Sequence, residues 1–294
     1  MTRSADTWLV TGATGFLGTN FSAANNRDSL IGLSRTDASR RGYSTHIHAD
    51  LLDEKALTDA VGSARPTYVL HTAALASHEE CERNPDLAYA TNATATAALA
   101  RAAHRVGSRF IYISTDAVFD GMAGNYGETD IPHPFSVYGT TKYQGEKSAL
   151  EVNPNALIIR TNFFGWSPTG NRSILEFFVN NLRAGNSING YTDFTVTSGY
   201  VQDLIRVIHQ VKDETGTWHI TSADPLSKYQ FGLEVADVFG FDTDLITPVS
   251  GHGEISRSRD ISLNTTKVNE FLQRRGSAGL LTQRAGIERA RQDQ

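Results

Sequence analysis

The sequence predicts an α/β protein: a doubly wound parallel sheet followed by a smaller C-terminal α/β cap. Three observations carry that reading. Short apolar runs alternate with helical patterns through the first half of the chain, the signature of parallel strands joined by crossover helices. A glycine-spaced turn, Gly12-x-x-Gly15-x-x-Gly18, falls between the first apolar run and the first helical pattern. After Gly165 the alternation ceases to be regular.

Taken in order, Trp8-Leu9-Val10 is a short strand ending in Thr11-Gly12, and Phe16 to Ala24 continues with helical spacing. Leu30 to Ser34 and His46 to Ala49 read as the next strands, Glu54 to Ala64 as a helix, and Tyr68 to His71 as a buried strand. Asn84-Pro85-Asp86 starts a helix that runs to about Val106: Asn caps free amides, Pro fits the first helical position and Asp complements the dipole. Phe110 to Ser114 is a strand, and a polar, glycine-rich loop from Asp120 to Pro134 leads to a helix near Tyr138 to Val152. Ala156 to Arg160 is the sixth strand. The expected division is 1–164 for the sheet domain and 165–294 mainly for the cap, with some segments returning to the sheet domain. The cap is expected to hold helices at Ile174 to Arg183 and Ser227 to Phe239, strand character at Gly216 to Thr221, and polar helical segments at Thr265 to Arg274 and Thr282 to Arg291.

Composition narrows the function classes. With 39% hydrophobic residues, including 14 Phe, 10 Tyr and 3 Trp, the 294-residue chain can bury a sizeable core. Its 27 basic and 32 acidic residues give a net charge of −5 without long single-sign runs, which argues against a nucleic-acid partner. Met1 to Leu9 contains no apolar leader core, and no stretch approaches the roughly 18 apolar residues of a membrane span. A soluble, cytoplasmic protein is expected. The single cysteine, Cys81, excludes an intrachain disulfide framework and reads as a buried small hydrophobe. His46 and His48 alternate along one strand and read as a polar strand edge rather than a metal site. The nine alanines between Ala88 and Ala103 suit close helix packing.

Four groups of residues carry chemistry. The Gly12 turn lets backbone approach a pyrophosphate while the amides of the following helix face its charge. In dinucleotide-binding Rossmann domains selective for NAD, the second strand ends in an acidic residue. Here it ends Leu33-Ser34-Arg35, with Arg40 and Arg41 nearby, and a hydroxyl with a guanidinium suits the 2′-phosphate of NADP. Asp37 offers the alternative of a ribose hydroxyl contact, so NADP is favoured and NAD remains open. Asp50, followed by Leu51, either accepts an adenine amino group or serves a turn before a helix. Tyr138 and Lys142, four apart on one helical face, bring a phenol beside an ammonium that is expected to lower its pKa. Thr115, in Ser114-Thr115-Asp116 at a strand's carboxyl end, can converge with Tyr138 on one carbonyl.

These motifs together resemble the extended short-chain dehydrogenase/reductase family over nearly the full chain. Within it the chain looks like the dTDP-4-dehydrorhamnose reductase group, through Ser114 to Gly121, Tyr126-Gly127-Glu128, Val137 to Lys142, the stretch from Ala73-Ala74 through Glu82, Pro85 and Asn92, and Leu263 to Lys267. His71-Thr72 departs from the usual Asn before the alanine pair, and Phe163 stands where the group often has a substrate-facing Trp.

The resemblance implies NAD(P)H-dependent reduction of the 4-keto group of a nucleotide-linked deoxysugar. It assigns proton donation to Tyr138, the hold on Tyr138 and the nicotinamide ribose to Lys142, and the hydrogen bond to the developing alkoxide to Thr115. Gly12, Thr14, Gly15, Phe16, Leu17 and Gly18 would bind cofactor. So would Ser34, Arg35, Asp50 and Leu51, and then Ala73, Ala74, Asn92 and Ser114 beside Tyr138 and Lys142, although Asn92 could instead organise a strand. Asp116, Phe163 and Arg172 would join Thr115 on the sugar nucleotide, with Arg172 read either as a diphosphate ligand or as an exposed helix-start residue.

No metal is expected, since the chain's end lacks a cluster of carboxylates, and the assembly is expected to be a monomer or homodimer. Three rival activities occur on this fold. A sugar-nucleotide dehydratase is disfavoured by Ala117 in place of a second acid, and an epimerase by the short cap. A non-catalytic NADP-binding subunit similar to the β subunit of methionine adenosyltransferase is disfavoured by retention of Thr115, Tyr138 and Lys142.

Overall fold

The computed structural model describes residues 5–25, 27–251 and 259–294, without the side chain of Arg40. The described chain forms two compact units. One takes the chain up to Val118, Ser136–Arg160 and Ile208–Trp218, and the other takes Phe119–Phe135, Thr161–Val207 and His219 onward.

The first unit is built on β1 (Thr7–Thr11), α1 (Phe16–Ala24), β2 (Ser29–Ser34), β3 (Thr45–His48), α2 (Glu54–Ala64) and β4 (Tyr68–His71). It continues through α3 (His78–Arg83), α4 (Pro85–Tyr89), a π turn at Ala90–Thr94, α5 (Ala95–Val106), β5 (Arg109–Ile113), α6 (Val137–Val152) and β6 (Leu157–Arg160). The sheet has seven strands in the order β11-β6-β5-β4-β1-β2-β3, β11 being Gly216–His219. Parallel pairing runs from β3 through to β6. The order reverses at β1, between β2 and β4, so that strand ends there open a crevice of the kind that binds ligands.

One face of the sheet packs Leu9, Val69, Phe110, Tyr112 and Ile158 against Leu57 and Val61 of α2 and Leu99 of α5. The alanines of α5 fill this contact: Ala95, Ala100, Ala102 and Ala103 are all in the core. Their small side chains allow close helix approach, so core packing accounts for the run. Gly145 plays the same part in α6, where a Cβ would lie 2.4 Å from the Asn92 carbonyl oxygen. Asn84 precedes Pro85 as expected, yet its side chain caps nothing.

The second unit contains β7 (Phe163–Phe164), α7 (Ile174–Arg183), β8 (Ile188–Tyr191), β9 (Thr195–Val196) and β10 (Gly199–Tyr200). It goes on to α8 (Val201–Val211), β12 (Leu226–Ser227), α9 (Lys228–Phe239), β13 (Ile246–Val249), α10 (Thr266–Arg274) and α11 (Gln283–Gln292). The last turn of α8, from Ile208, is counted with the first unit. Its strands form three pairs, β7 with β10, β9 with β12 and β8 with β13. Two capping boxes, Ser173 with Glu176 and Ser227 with Gln230, set the starts of α7 and α9. Phe164, Phe178 and Phe231 fill its centre.

The units do not divide at a single boundary near residue 164. Residues 119–135 group with the second unit because Tyr126 is pinned there: its N–H donates to Ser262 O at 2.9 Å and its carbonyl accepts from Asn264 N at 2.7 Å. Residues 208–218 group with the first because Gly216 N donates to Ala156 O at 2.9 Å at the sheet edge. Among the described residues, no helix is long and apolar enough to cross a membrane.

Candidate active site

At the end of β1 the chain turns through Gly12, whose φ of +67° only glycine adopts freely. A Cβ there would lie 3.0 Å from Ala73 N, and one on Gly18 would lie 2.4 Å from Gly12 O. Both glycines are therefore needed for the turn to close on the neighbouring loop and on its own helix. Gly15 N donates to Gly12 O at 2.8 Å. No side chain caps the amides of α1, and its first turn holds no acidic residue. Such a cradle suits a diphosphate. Leu17 is buried in the core, which confines any cofactor contact to its backbone, while Thr14 pairs with the Thr36 hydroxyl at 3.1 Å.

The ends of β2 and β3 look different from the sequence expectation. Ser34 is buried and its hydroxyl donates to Thr36 O at 2.6 Å, so it is not a free phosphate donor. Asp37 accepts from Ser39 N and Oγ, both at 2.8 Å. Arg41 reaches Thr19 Oγ1 at 3.1 Å, and the side chain of Arg40 lies outside the described residues. Arg35 remains, 79% exposed, with Nη1 3.9 Å from Asp50 Oδ2. Asp50 serves its turn through Leu52 N at 3.0 Å, and Leu51 packs against the core.

Next to the glycine turn, Ala73 N donates to Thr11 Oγ1 at 3.2 Å and Ala74 follows it, half-buried. Asn92 organises the chain: its Oδ1 accepts from Leu75 N at 2.8 Å, and its Nδ2 donates to Leu75 O at 3.0 Å and to Thr141 Oγ1 at 3.1 Å. Its side-chain amide is thereby engaged with the loop after β4 and with α6 rather than with a strand.

The candidate catalytic residues sit after β5 and on α6. Ser136 caps α6 by accepting from Gly139 N at 3.1 Å, which places Tyr138 in the first turn and Lys142 one turn later. Thr115 and Asp116 are 6% and 2% exposed. Thr115 Oγ1 lies 3.1 Å from Asp116 Oδ1 and accepts from Ala117 N at 3.1 Å.

The tyrosine pKa is not lowered as expected. Burial pushes Tyr138 up to about 12, opposed by a hydrogen bond with Thr115 and reinforced by the Asp116 charge. Lys142 instead donates from Nζ to Ile113 O at 2.7 Å and lies 4.0 Å over the Tyr112 ring. Its own pKa falls to about 7 through burial, against the pull of Glu146.

Three residues of this region escaped the sequence reading. Glu146 accepts from Ser114 Oγ at 2.5 Å and pairs with Arg160 Nη2 at 2.8 Å, both ionic partners being under 5% exposed. The Ser114 hydroxyl therefore faces Glu146. A signal existed in the next helical turn after Lys142, where Gly145 and Glu146 stand on the buried side of α6. His78 stacks obliquely on Tyr138 with ring centroids 4.6 Å apart. In the second unit, Phe163 is half-buried on β7. Arg172 is exposed before the Ser173 cap, its backbone N–H donating to Glu176 Oε2 at 2.7 Å.

A parallel Rossmann-like sheet, with a glycine turn after its first strand and Thr115, Tyr138 and Lys142 after its fifth, is the architecture of the extended short-chain dehydrogenase/reductase class of NAD(P)-dependent oxidoreductases. Residues 7–289 match the family described as RmlD substrate binding domain, and the chain belongs to it. It is 30% identical over 246 residues to a probable low-salt glycan biosynthesis reductase, Agl14, of Haloferax volcanii, covering 81% of this chain and 82% of that protein. It is 31% identical over 258 residues to methionine adenosyltransferase 2 subunit beta of Danio rerio, covering 82% and 76%. In fold it is similar to dTDP-4-dehydrorhamnose reductase from Bacillus anthracis in complex with NADP, with a TM-score of 0.86, 23% identity and full coverage of both chains.

Proposed function

We propose that the chain is an NADPH-preferring reductase of the 4-keto group of a nucleotide-linked deoxysugar. The observation that supports this reading is the placement of buried Thr115 just after β5 and of Tyr138 and Lys142 in the first turns of α6 in a chain of the RmlD family. When bound, NADPH supplies a hydride to the keto carbon. Tyr138 supplies the proton to the oxygen: a phenol with a pKa of about 12 is fully protonated at neutral pH, the state a donor needs. Thr115, whose hydroxyl proton lies toward Asp116 Oδ1, turns it to the oxygen as that atom gains charge, and Lys142 offsets the phenolate left on Tyr138.

The backbone of Gly12 to Gly18, with Thr14 and Phe16, holds the cofactor diphosphate, Arg35 takes the 2′-phosphate, and NADH can occupy the same cradle. Residues 1–164 are assigned mainly to the cofactor and 165–294 mainly to the sugar nucleotide, with Asp116, Phe163 and Arg172 as substrate contacts. A cytoplasmic location and a monomer or homodimer complete the proposal.

A second reading, a binding subunit without turnover, is favoured by the likeness to methionine adenosyltransferase 2 subunit beta. It is opposed by the intact Thr115, Tyr138 and Lys142. The experiment is a thermal-shift screen of nucleotide sugars with NADPH present, followed by an assay of NADPH consumption with the nucleotide ketosugars that bind. Turnover supports the reductase. Tight NADPH binding with no turnover on any of them supports the subunit.

A further inference from the structure

His71 is fully buried at the end of β4. Its Nδ1 lies 2.7 Å from Thr11 Oγ1 and its Nε2 lies 3.0 Å from Thr96 Oγ1. The proton positions follow from the partners. Thr96 donates its one hydroxyl proton to Asn92 O at 2.8 Å, because a carbonyl can only accept. Thr96 Oγ1 must then accept from His71, which places the imidazole proton on Nε2. Nδ1 is left as an acceptor, so the Thr11 hydroxyl donates to it while accepting from Ala73 N at 3.2 Å. This tautomer gives each hydroxyl proton of the chain an acceptor, with Asn92 O taking a second proton from Tyr112 Oη at 3.1 Å.

We infer that His71 is a positioning residue for the cofactor cradle, a neutral Nε2–H imidazole that orients the Thr11 hydroxyl and so fixes the spacing between the glycine turn and Ala73. That spacing is tight, since a Cβ on Gly12 would lie 3.0 Å from Ala73 N. The inference rests on the reading of the cradle as the dinucleotide site. The groups facing the imidazole favour its neutral form. The Tyr112 ring stacks on it at 5.4 Å, and burial together with the Lys142 ammonium pushes its pKa down to about 3.

The test combines a spectrum with a mutant cycle. In long-range ¹H–¹⁵N spectra of the wild-type protein, His71 should show the Nε2–H tautomer and stay neutral down to about pH 5. An Nδ1–H tautomer, or titration in the ordinary histidine range, overturns the inference whether or not the protein is a reductase. His71→Phe keeps a ring against Tyr112 and removes both hydrogen bonds, and Thr11→Val removes the hydroxyl. In fluorescence titrations each should weaken NADPH about tenfold, the double variant should be no worse than the weaker single, and kcat at saturating NADPH should stay within about twofold. Additive losses, or unchanged affinity in His71→Phe, contradict the role. Failure of the wild-type protein to bind NADPH would instead sink the reductase reading and leave the tautomer result standing. If His71→Phe does not fold, the spectrum of the wild-type protein still decides.

Discussion

Two stretches that follow the carboxyl ends of strands in the first unit are built on opposite terms. At the ends of β2 and β3 the charges stand in water, Arg35 at 79% and Asp50 at 44% exposure, 3.9 Å apart. After β5 and along α6, Thr115, Asp116, Lys142 and Glu146 are all buried and held by hydrogen bonds of 2.5 to 3.1 Å. An exposed ion pair is worth about 0–1 kcal/mol, so Arg35 can leave Asp50 for a phosphate at little cost. A buried pair such as Glu146 with Arg160 costs about 3–5 kcal/mol when one partner is removed, so its neighbours are fixed. Selecting a charged ligand asks for a free charge, whereas moving a proton asks for perturbed pKa values in a set geometry.

The contrast sharpens most at Tyr138. Tyr138→Phe should lower kcat by about 10²–10⁴-fold, the usual worth of a general acid, with the NADPH dissociation constant unchanged within about twofold. A rate near that of the wild-type protein would move the chemistry away from the buried cluster. Next comes pH. Lys142, with a pKa near about 7, loses its ammonium as pH rises, so kcat/KM should decline on the alkaline side of about pH 7. Because Glu146 raises the Lys142 pKa, Glu146→Gln should shift this limb to lower pH. A profile that stays flat through the neutral range, or a limb unmoved by Glu146→Gln, breaks the link between the two residues.

Effects at the exposed stretch should be smaller. Arg35→Ala should raise the KM for NADPH about tenfold through loss of a charged hydrogen bond and leave NADH nearly untouched. Equal losses for both cofactors would remove Arg35 from selectivity. The smallest change is expected at Arg172, where Ala substitution should raise the substrate KM by roughly three- to tenfold without altering NADPH affinity. An unchanged KM leaves it as the exposed helix-start residue that its backbone bonds to Glu176 and Ser167 describe.

What was legible in the sequence was what is local. Glu54–Ala64, Tyr68–His71 and Ile174–Arg183 have the expected bounds, because their apolar spacing and flanking residues suffice. Helix α8 went unread although Val201, Leu204, Ile205, Ile208 and Val211 carry helical spacing and are all buried. The membership of residues 119–135 could not be read, since it depends on Ser262 and Asn264, more than a hundred residues away.

The site divides in the same way. Thr115, Tyr138 and Lys142 were legible from a strand end and one helix face, and they lie just after β5 and in the first turns of α6. The uses of Ser34, Asn92 and Ser114 were hidden because their hydrogen bonds are settled by Thr36 and His46, by Leu75 and Thr141, and by Glu146. The direction of the Lys142 ammonium was hidden too, because the Ile113 carbonyl that takes it belongs to a strand 29 residues earlier.

The most direct measurement is a single turnover with NADPH deuterated at the transferred position and a nucleotide-linked 4-keto-deoxysugar. The account predicts one deuterium at C4 of the product sugar with the wild-type protein, and almost none over the same interval with Tyr138→Phe although it binds the labelled cofactor. Label at C4 formed equally fast by Tyr138→Phe, or no labelled product from the wild-type protein while NADPH is bound, would contradict it.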